Sequence, residues 1–321
     1  MRRLVAAAAA VLVYAIAPAT AWAQDFPTKP IKMIVPVPPG GSGDLVSRLL
    51  ATAASKELGQ SIIVENRPGA TGNIGTVAAV RSPADGYTLF LCSIGNCAVN
   101  ASLYANPGFD LFRDITPVVL LGKSINVLTT APATGINSVK ELLEKARTSE
   151  ISYGSSGVGA SNHLAGELIK KMTGVPILHV PYKGSGPAIT DLLGGQIQVF
   201  FDNEPSILPF VKAGKVNALS VTGRQRSANM PNVPTMEELG FKGFIIEPWY
   251  AIGAPANVPA PIVARLNAAF NKGLQDPHVR KTLLDAGITP VGGTSASFAQ
   301  YMRSEHDKWA ELTKAQKISG D

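Results

Sequence analysis

Three features of the sequence predict an α/β fold. Short β-rich runs alternate with amphipathic segments along the chain. Glycine and proline, 31 and 24 of 321 residues, punctuate the junctions. Apolar residues make up 45% and charged residues only 16%, whereas a disordered chain needs low hydrophobicity and high charge. The glycine and proline content exceeds the usual share of roughly 12% without a collagen-like period, so it implies many tight turns. The length allows a large core and about two domains.

The N-terminal residues stand apart. Arg2 and Arg3 precede an apolar run from Leu4 to Ala17, then Pro18 and the small-residue site Ala21-Trp22-Ala23. This order reads as a secretory signal peptide cleaved after Ala23, because the run is too short for a membrane span of about 18 or more residues. Residues 24–321 are therefore expected to be exported and soluble. Loss of Arg2 and Arg3 lowers the formal charge of +6 to +4.

The elements follow in order. Residues 31–35 form an apolar strand that ends at Pro36 and the turn Pro38-Pro39-Gly40-Gly41-Ser42-Gly43. From Asp44, Leu45 and Leu49, and Val46 and Leu50, lie four apart, which marks a helix that Gly59 stops. A strand at 61–64, a helix at 73–80 and a strand at 87–92 complete a βαβαβ pattern, which favours a parallel sheet with helices on its faces.

A second set begins after Gly122. Ser138-Val139-Lys140-Glu141 is a capping box for a helix to about Arg147. A strand at 151–153 enters a Gly/Ser turn, Gly154 to Ser161, followed by a helix to Met172. A strand at 176–180, a helix at 187–193 and strands at 197–201 and 216–221 come next; polar residues 224–234 form a loop. After a β-rich stretch from Phe244 to Ile252, Pro259 and Pro261 open a helix with Ile262, Leu266, Phe270 and Leu274 on one stripe. Ser297-Phe298-Ala299-Gln300, another capping box, opens a final helix carrying Met302, Trp309 and Leu312. No period of 20–50 residues suggests a solenoid.

Cys92 and Cys97 are the only cysteines. Export permits a disulfide, but the Cβ vectors at a strand end diverge, so two small buried hydrophobes are expected instead. The sequence lacks G-x-S-x-G, H-E-x-x-H and P-loop motifs, and its four histidines show no metal-ligand spacing. No cofactor and no metal are expected. Basic residues are scattered and do not interleave with aromatic ones, so nucleic acid is not an expected partner.

Two similar turns carry the positive signal. Pro38 to Asp44 and Gly154 to Ser161 each join a strand end to a helix N-terminus. Unpaired N–H groups and the helix dipole suit an anion there, glycines allow close approach, and serine hydroxyls add uncharged donors. The glycines also satisfy turn geometry and the serines can cap. Two such loops, one in each half, point to a small anionic ligand held between lobes.

Five motifs resemble the Bug family, the periplasmic substrate-binding proteins of tripartite tricarboxylate transporters. They are Phe26 to Ile31, Ile34 to Asp44, Val64 to Ala70, His179 to Ala188 and Asp191 to Gln196, and the resemblance spans essentially all of residues 24–321. It implies a two-lobed periplasmic-binding-protein fold of the Venus flytrap, type II kind, with the ligand cleft between α/β lobes. Residues 24–123 and 249–321 would form lobe 1 and residues 124–248 lobe 2, with crossings near Gly122 to Ile125 and Glu247 to Tyr250. Implied partners are a small carboxylate (di- or tricarboxylate, acidic amino acid or aromatic acid) and the permease subunits, and a monomer is expected.

Carried onto this chain, Pro39, Gly40, Gly41, Ser42 and Asp44 would meet one carboxylate, partly through bound water. Ser155, Ser156, Gly157 and Ser161 would supply donors from the other lobe, with Tyr182 nearby. His163 either lines the cleft or packs its helix; Asp202 either faces the cleft or caps the helix after it. Val37 stands where the family usually has Phe, and Ser93 and Asn96 lie in an unusual loop whose Asn96 amide could reach a distal ligand group. Two other readings remain open: an exported hydrolase using Ser155 or Ser42 with His163, and a chemosensory receptor on the same fold.

Overall fold

The computed structural model describes residues 26–316 and 318; the signal peptide expected at residues 1–23 lies outside them. The first elements are β1 (Ile31–Val35), α1 (Ser42–Leu58), β2 (Ile62–Asn66), α2 (Asn73–Val80), β3 (Thr88–Ser93) and α3 (Asn100–Leu103). Gly59, at φ 72°, ends α1 in the left-handed conformation that glycine adopts freely. Between β3 and α3 the chain makes a π turn at Gly95–Val99.

Two strands that the sequence reading did not assign follow: β4 (Ile115–Lys123) and β5 (Asn126–Thr130). They carry the chain from one sheet to the other. Next come α4 (Val139–Lys145), β6 (Ile151–Ser155), α5 (Ser161–Thr173), β7 (Ile177–Pro181), α6 (Ser185–Leu193), β8 (Val199–Asn203), α7 (Glu204–Lys212) and β9 (Asn217–Val221). Of the β-rich stretch Phe244 to Ile252, only the second half is a strand, in β10 (Trp249–Pro255). The chain closes with α8 (Ala260–Gln275), α9 (Pro277–Asp285), β11 (Thr289–Pro290) and α10 (Ser295–Gln316).

The two expected capping boxes close differently. Ser138 Oγ accepts from Glu141 N, as the box requires, but Glu141 Oε2 accepts from Asn137 N. At α10 the cap is Thr294, whose Oγ1 accepts from Ser297 N, so Ser297 lies inside the first turn.

Two sheets result. The first has the order β11-β4-β10-β3-β1-β2 and the second β7-β6-β8-β5-β9. Neither is wholly parallel as the βαβαβ pattern suggested. β1 pairs in parallel with β2 and β3, and β6 with β7 and β8. The strands on either side of the crossings, β4 and β10 in one sheet and β5 and β9 in the other, pair antiparallel. Helices on both faces bury Leu50 and Phe270 on one side of the first sheet, and Ile189 and Ile207 on one side of the second. A third core cluster runs through both sheets, from Phe90 and Leu120 to Leu128 and Leu164. Among the described residues no helix is long and apolar enough to cross a membrane.

The two crossings lie side by side. Ser124 N donates to Pro248 O at 2.7 Å, and Asn126 N donates to Thr222 Oγ1 at 2.9 Å. α10 straps them from outside: Glu305 Oε2 accepts from Trp249 Nε1 and Trp309 Nε1, and Lys308 Nζ donates to Ile245 O.

Cys92 and Cys97 form a disulfide, contrary to the expected pair of free thiols. The π turn folds the chain back beside the end of β3 and brings their Cα atoms to 5.4 Å, within disulfide reach.

The seating of α5 on β6 leaves no slack. A Cβ added at Gly166 would lie 2.0 Å from the ring of Tyr153, which is fully buried and tied through its hydroxyl to Glu167. Gly166→Ala should therefore cost about 1–3 kcal/mol through overpacking. Urea unfolding would show this as a lower midpoint, and an unchanged midpoint would contradict the packing described.

Candidate functional site

Four of the parallel strands, β1, β6, β7 and β8, feed helices whose first residues meet where the lobes touch. α1 begins after Gly41, α5 after Ala160, α6 after Gly184 and α7 after Asn203, and at none of the four does the N-cap side chain accept from the first N–H groups of its own helix. By contrast, Ser138 caps α4 and Asp276 caps α9. The positive dipole ends thus collect in one place, although some first-turn N–H groups are already bonded, Glu204 N to Ile125 O and His163 N to Asn162 Oδ1.

Side chains of these four helix ends are knitted together. Asn203 Nδ2 donates to Ser42 Oγ at 3.1 Å across the lobes. Ser161 Oγ donates to Asn203 Oδ1 at 3.0 Å and lies 3.2 Å from Asn126 Oδ1. Ser185 Oγ donates to Asp202 Oδ1 at 2.7 Å. Three polar atoms here lack a partner in the protein although fully enclosed: Asp202 Oδ2, Asn126 Nδ2 and the hydroxyl of Tyr250. The Tyr250 hydroxyl lies among Ser42, Asn203 and Asp202 without completing a hydrogen bond to any. Burial pushes the Asp202 carboxyl up to about 7 from its ordinary 3.8, against hydrogen bonds that favour the anion.

A second contact joins the lobes. Thr71 Oγ1 donates to Val158 O at 2.6 Å, and Thr71 itself sits at φ 47°, a conformation rare for a β-branched residue. Strain of this kind persists only where surrounding contacts impose it. Gly159, at φ 86°, approaches Leu103 so closely that a Cβ would lie 2.5 Å from it.

The first loop is braced from behind by Asp44, which is not free to meet a ligand as the resemblance implied. Its carboxylate accepts from Gly40 N, Asn66 Nδ2 and Arg48 Nε. Burial opposes that charge, but these hydrogen bonds outweigh it and hold the carboxyl below its ordinary value. Gly41 and Ser42 are left facing the junction, while Pro39 and Gly40 stand exposed on the rim.

Asn96 is likewise committed inward. Its Oδ1 accepts from Ser93 N and Ser93 Oγ, and its Nδ2 donates to Thr76 Oγ1 and Leu91 O. With 1% of its surface exposed, it shapes the loop and does not reach a ligand. Tyr182 is half-buried and donates its hydroxyl to Asp191 Oδ2 at 2.7 Å.

The second loop is held by two histidines, one of which the sequence reading passed over. Ser155 Oγ lies 2.7 Å from His179 Nε2 and donates to Gly157 O, and it is fully buried. Tyr153 and Ser155 share a face of β6, and the register that sets Tyr153 opposite His179 brings the imidazole there. His163 accepts from Gly159 N at 3.0 Å and stacks on His179 with ring centroids 4.0 Å apart. His163 therefore packs behind the loop and does not line the cleft. Asn162 Oδ1 accepts from Ser156 N. Asp202 accepts from the first residue of α6, so it does not cap its own following helix through its side chain.

Burial lowers His163 to about 4 and His179 to about 3, so both are neutral near pH 7. Neither expected serine–histidine pair forms: Ser42 bonds Asn203, and Ser155 bonds His179 instead of His163. Among the described residues no carboxylate hydrogen-bonds His179, the orienting group a nucleophilic serine would need.

Residues 46–318 match the family described as the tripartite tricarboxylate transporter family receptor. Protein BugT of Bordetella pertussis Tohama I is 39% identical over 91% of this chain and 90% of its own. Among solved structures, Rpa4515 of R. palustris with adipate is 34% identical, with a TM-score of 0.88 over 92% of this chain and 99% of that one. MatC from Rhodopseudomonas palustris with bound malate is 29% identical, with a TM-score of 0.85 over 89% and 99%.

The neutral histidine pair sets a pH dependence. Below the ordinary value of 6.5 the unfolded chain binds protons that the fold excludes, so their contribution is lost as pH falls toward about 4 and 3. Asp202 works in the opposite sense, favouring the fold as pH falls from about 7 to 3.8. Comparison with a His163→Gln/His179→Gln variant cancels that second contribution. Between about pH 7 and pH 4.5 the wild type should lose at least ~1 kcal/mol relative to the variant. Parallel stability curves from urea unfolding would contradict this.

Proposed function

The chain belongs to the tripartite tricarboxylate transporter receptor family and is a periplasmic solute-binding protein, and we propose that it captures a small carboxylate between its lobes for delivery to a membrane permease of that transporter type. The protein is a receptor of this family and not an enzyme. The observation that carries the proposal is the convergence of four uncapped helix N-termini, from both lobes, on one buried polar junction. Helix N-termini supply N–H donors and a positive potential without a cation's desolvation cost, so they suit a carboxylate. The adipate and malate in two relatives support that ligand class.

In this reading Gly41 and Ser42 approach the ligand from the first loop, and Ser156, Gly157 and Ser161 from the second. Asp44, Asn96, Ser155 and His163 hold those loops in shape. Residues 24–123 and 249–321 move as one lobe and 124–248 as the other, hinging where Ser124 and Pro248 are hydrogen-bonded. Ligand contacts shared by both lobes favour closure, as the Ser42–Asn203 and Thr71–Val158 bonds already do. The exported form begins after Ala23 and works as a monomer.

A thermal-shift screen over adipate, malate, citrate, glutamate and benzoate tests the ligand class. At least one should raise the melting temperature, by the equivalent of about 2.7 kcal/mol at a concentration 100 times its dissociation constant. Stabilisation by the neutral amides and none by the acids would overturn the proposal. Gly41→Val tests the place. Its φ is −80°, and a Cβ meets only Pro38 O at 3.9 Å, so the fold should stand. Affinity for the stabilising acid should fall about tenfold or more, a loss of ~1.4 kcal/mol; wild-type affinity would place the site elsewhere.

A further inference from the structure

The junction contains one fully enclosed acid with an unpartnered oxygen; the other acids at these helix starts, Asp44 in α1 and Glu204 in α7, are held by Arg48 and Asn66 and by Ser227 and Asn229. Asp202 is fully buried, and one of its oxygens bonds Ser185 while the other has no partner in the protein. Ser185 begins α6, and Asn162, which also acts on the carboxyl, lies in the first turn of α5. Asn203, adjacent in the chain, is the N-cap of α7. Asp202 therefore occupies the position of an internal counter-ion to the helix ends that the proposed function assigns to a ligand carboxylate. From the facing lobe, Tyr250 on β10 is the titratable group that feels Asp202, and burial pushes its hydroxyl up, so it stays neutral. Among the described residues no lysine or arginine pairs with Asp202.

One set of helix ends cannot accommodate two neighbouring negative charges without penalty. When two carboxylates share a site, the second charge is strongly disfavoured and one group takes a proton. The incoming ligand is an ordinary strong carboxylate, whereas the buried carboxyl of Asp202 already titrates near neutrality. Protonation would also give Asp202 a donor for the ligand oxygen, matching the unpartnered donors on Asn126 and Tyr250.

We propose that Asp202 is a proton-accepting binding residue, so that capture of a carboxylate is coupled to uptake of one proton from solvent by Asp202. The carboxylate side chain becomes a neutral carboxyl, the ligand keeps its charge, and the helix ends hold one anion throughout. Release at the permease then returns the proton. This inference rests on the carboxylate reading of the junction and adds to it a proton count. It makes Asp202 a residue that sets how affinity responds to pH.

Isothermal titration calorimetry with adipate and malate as probes tests it. Titrations between about pH 7 and 8.5, where both probes are fully ionised, are run in phosphate and in Tris, whose ionisation enthalpies differ. With the Asp202 carboxyl at about 7 in the free protein, the wild type should take up about half a proton per ligand at pH 7 and close to one at pH 8.5, and its affinity should fall more steeply with pH over that range, toward about tenfold per pH unit at the alkaline end. Asp202→Asn should take up none, show a flat pH profile and bind more tightly than wild type at the alkaline end. A gain of affinity there cannot come from a damaged fold, and the wild-type buffer comparison decides the question even if the variant misfolds. Binding without proton uptake overturns the proposal and leaves carboxylate capture intact. So does an Asp202→Asn variant that binds more weakly at every pH, which would make Asp202 an ionised acceptor for a ligand donor. Failure of both probes to bind at any pH overturns this inference together with the carboxylate reading.

Discussion

The structure depends on where four helices begin. The ends of β1, β6, β7 and β8 turn directly into α1, α5, α6 and α7, and the open N-termini of those helices meet at Ser42, Ser161, Ser185 and Asn203. Buried N–H groups need acceptors, and a gathering of dipole ends needs a negative charge. The fold meets that requirement in part with its own Asp44, Glu204 and Asp202, and it leaves Asp202 Oδ2, Asn126 Nδ2 and the Tyr250 hydroxyl unmatched. Buried unmatched polar atoms are costly in a low-dielectric interior. They are the reason a ligand is proposed at this junction.

The surrounding elements keep that arrangement in place without filling it. Asp44, Arg48 and Asn66 hold the first loop from behind, and the neutral pair His163 and His179 holds the second. The disulfide from Cys92 to Cys97 and the inward amide of Asn96 stiffen the turn after β3. At the crossings, Ser124 and Pro248 are joined by a single backbone hydrogen bond, and α10 binds the second crossing through Glu305 and Trp249. Rigid loops on a narrow double crossing suit two bodies that move about one axis.

Much of this was legible in the sequence, because the signals are local. The turns Pro38 to Gly43 and Gly154 to Ser161 announce themselves by glycine and serine, and the amphipathic spacing after each gives α1 and α5. The motifs from Phe26 to Gln196 led to the family and to the two-lobed fold. Pairings between distant segments were not legible. β4 and β5 carry little punctuation of their own and become strands through β10 and β8. The sequence pairs Ser155 with His163, the third residue of the following helix, but sheet register brings His179 to it instead. Asn126 and Tyr250 enter the junction from the two crossings, and no spacing rule relates them to Asp202. The cysteines were misjudged because a π turn, which no residue pattern signals, redirects the Cβ vectors.

In the proposed function, helix N-termini of both lobes together bind a carboxylate at the Asp202–Asn203 junction. A crystal structure grown with the stabilising acid tests this most directly. The carboxylate should lie between the lobes, within hydrogen-bond distance of main-chain N–H groups at the starts of α1 and α5, with Asp202 Oδ2 or the Tyr250 hydroxyl beside it. A carboxylate bound to one lobe alone, or elsewhere on the surface with those three atoms still unpartnered, would contradict the account.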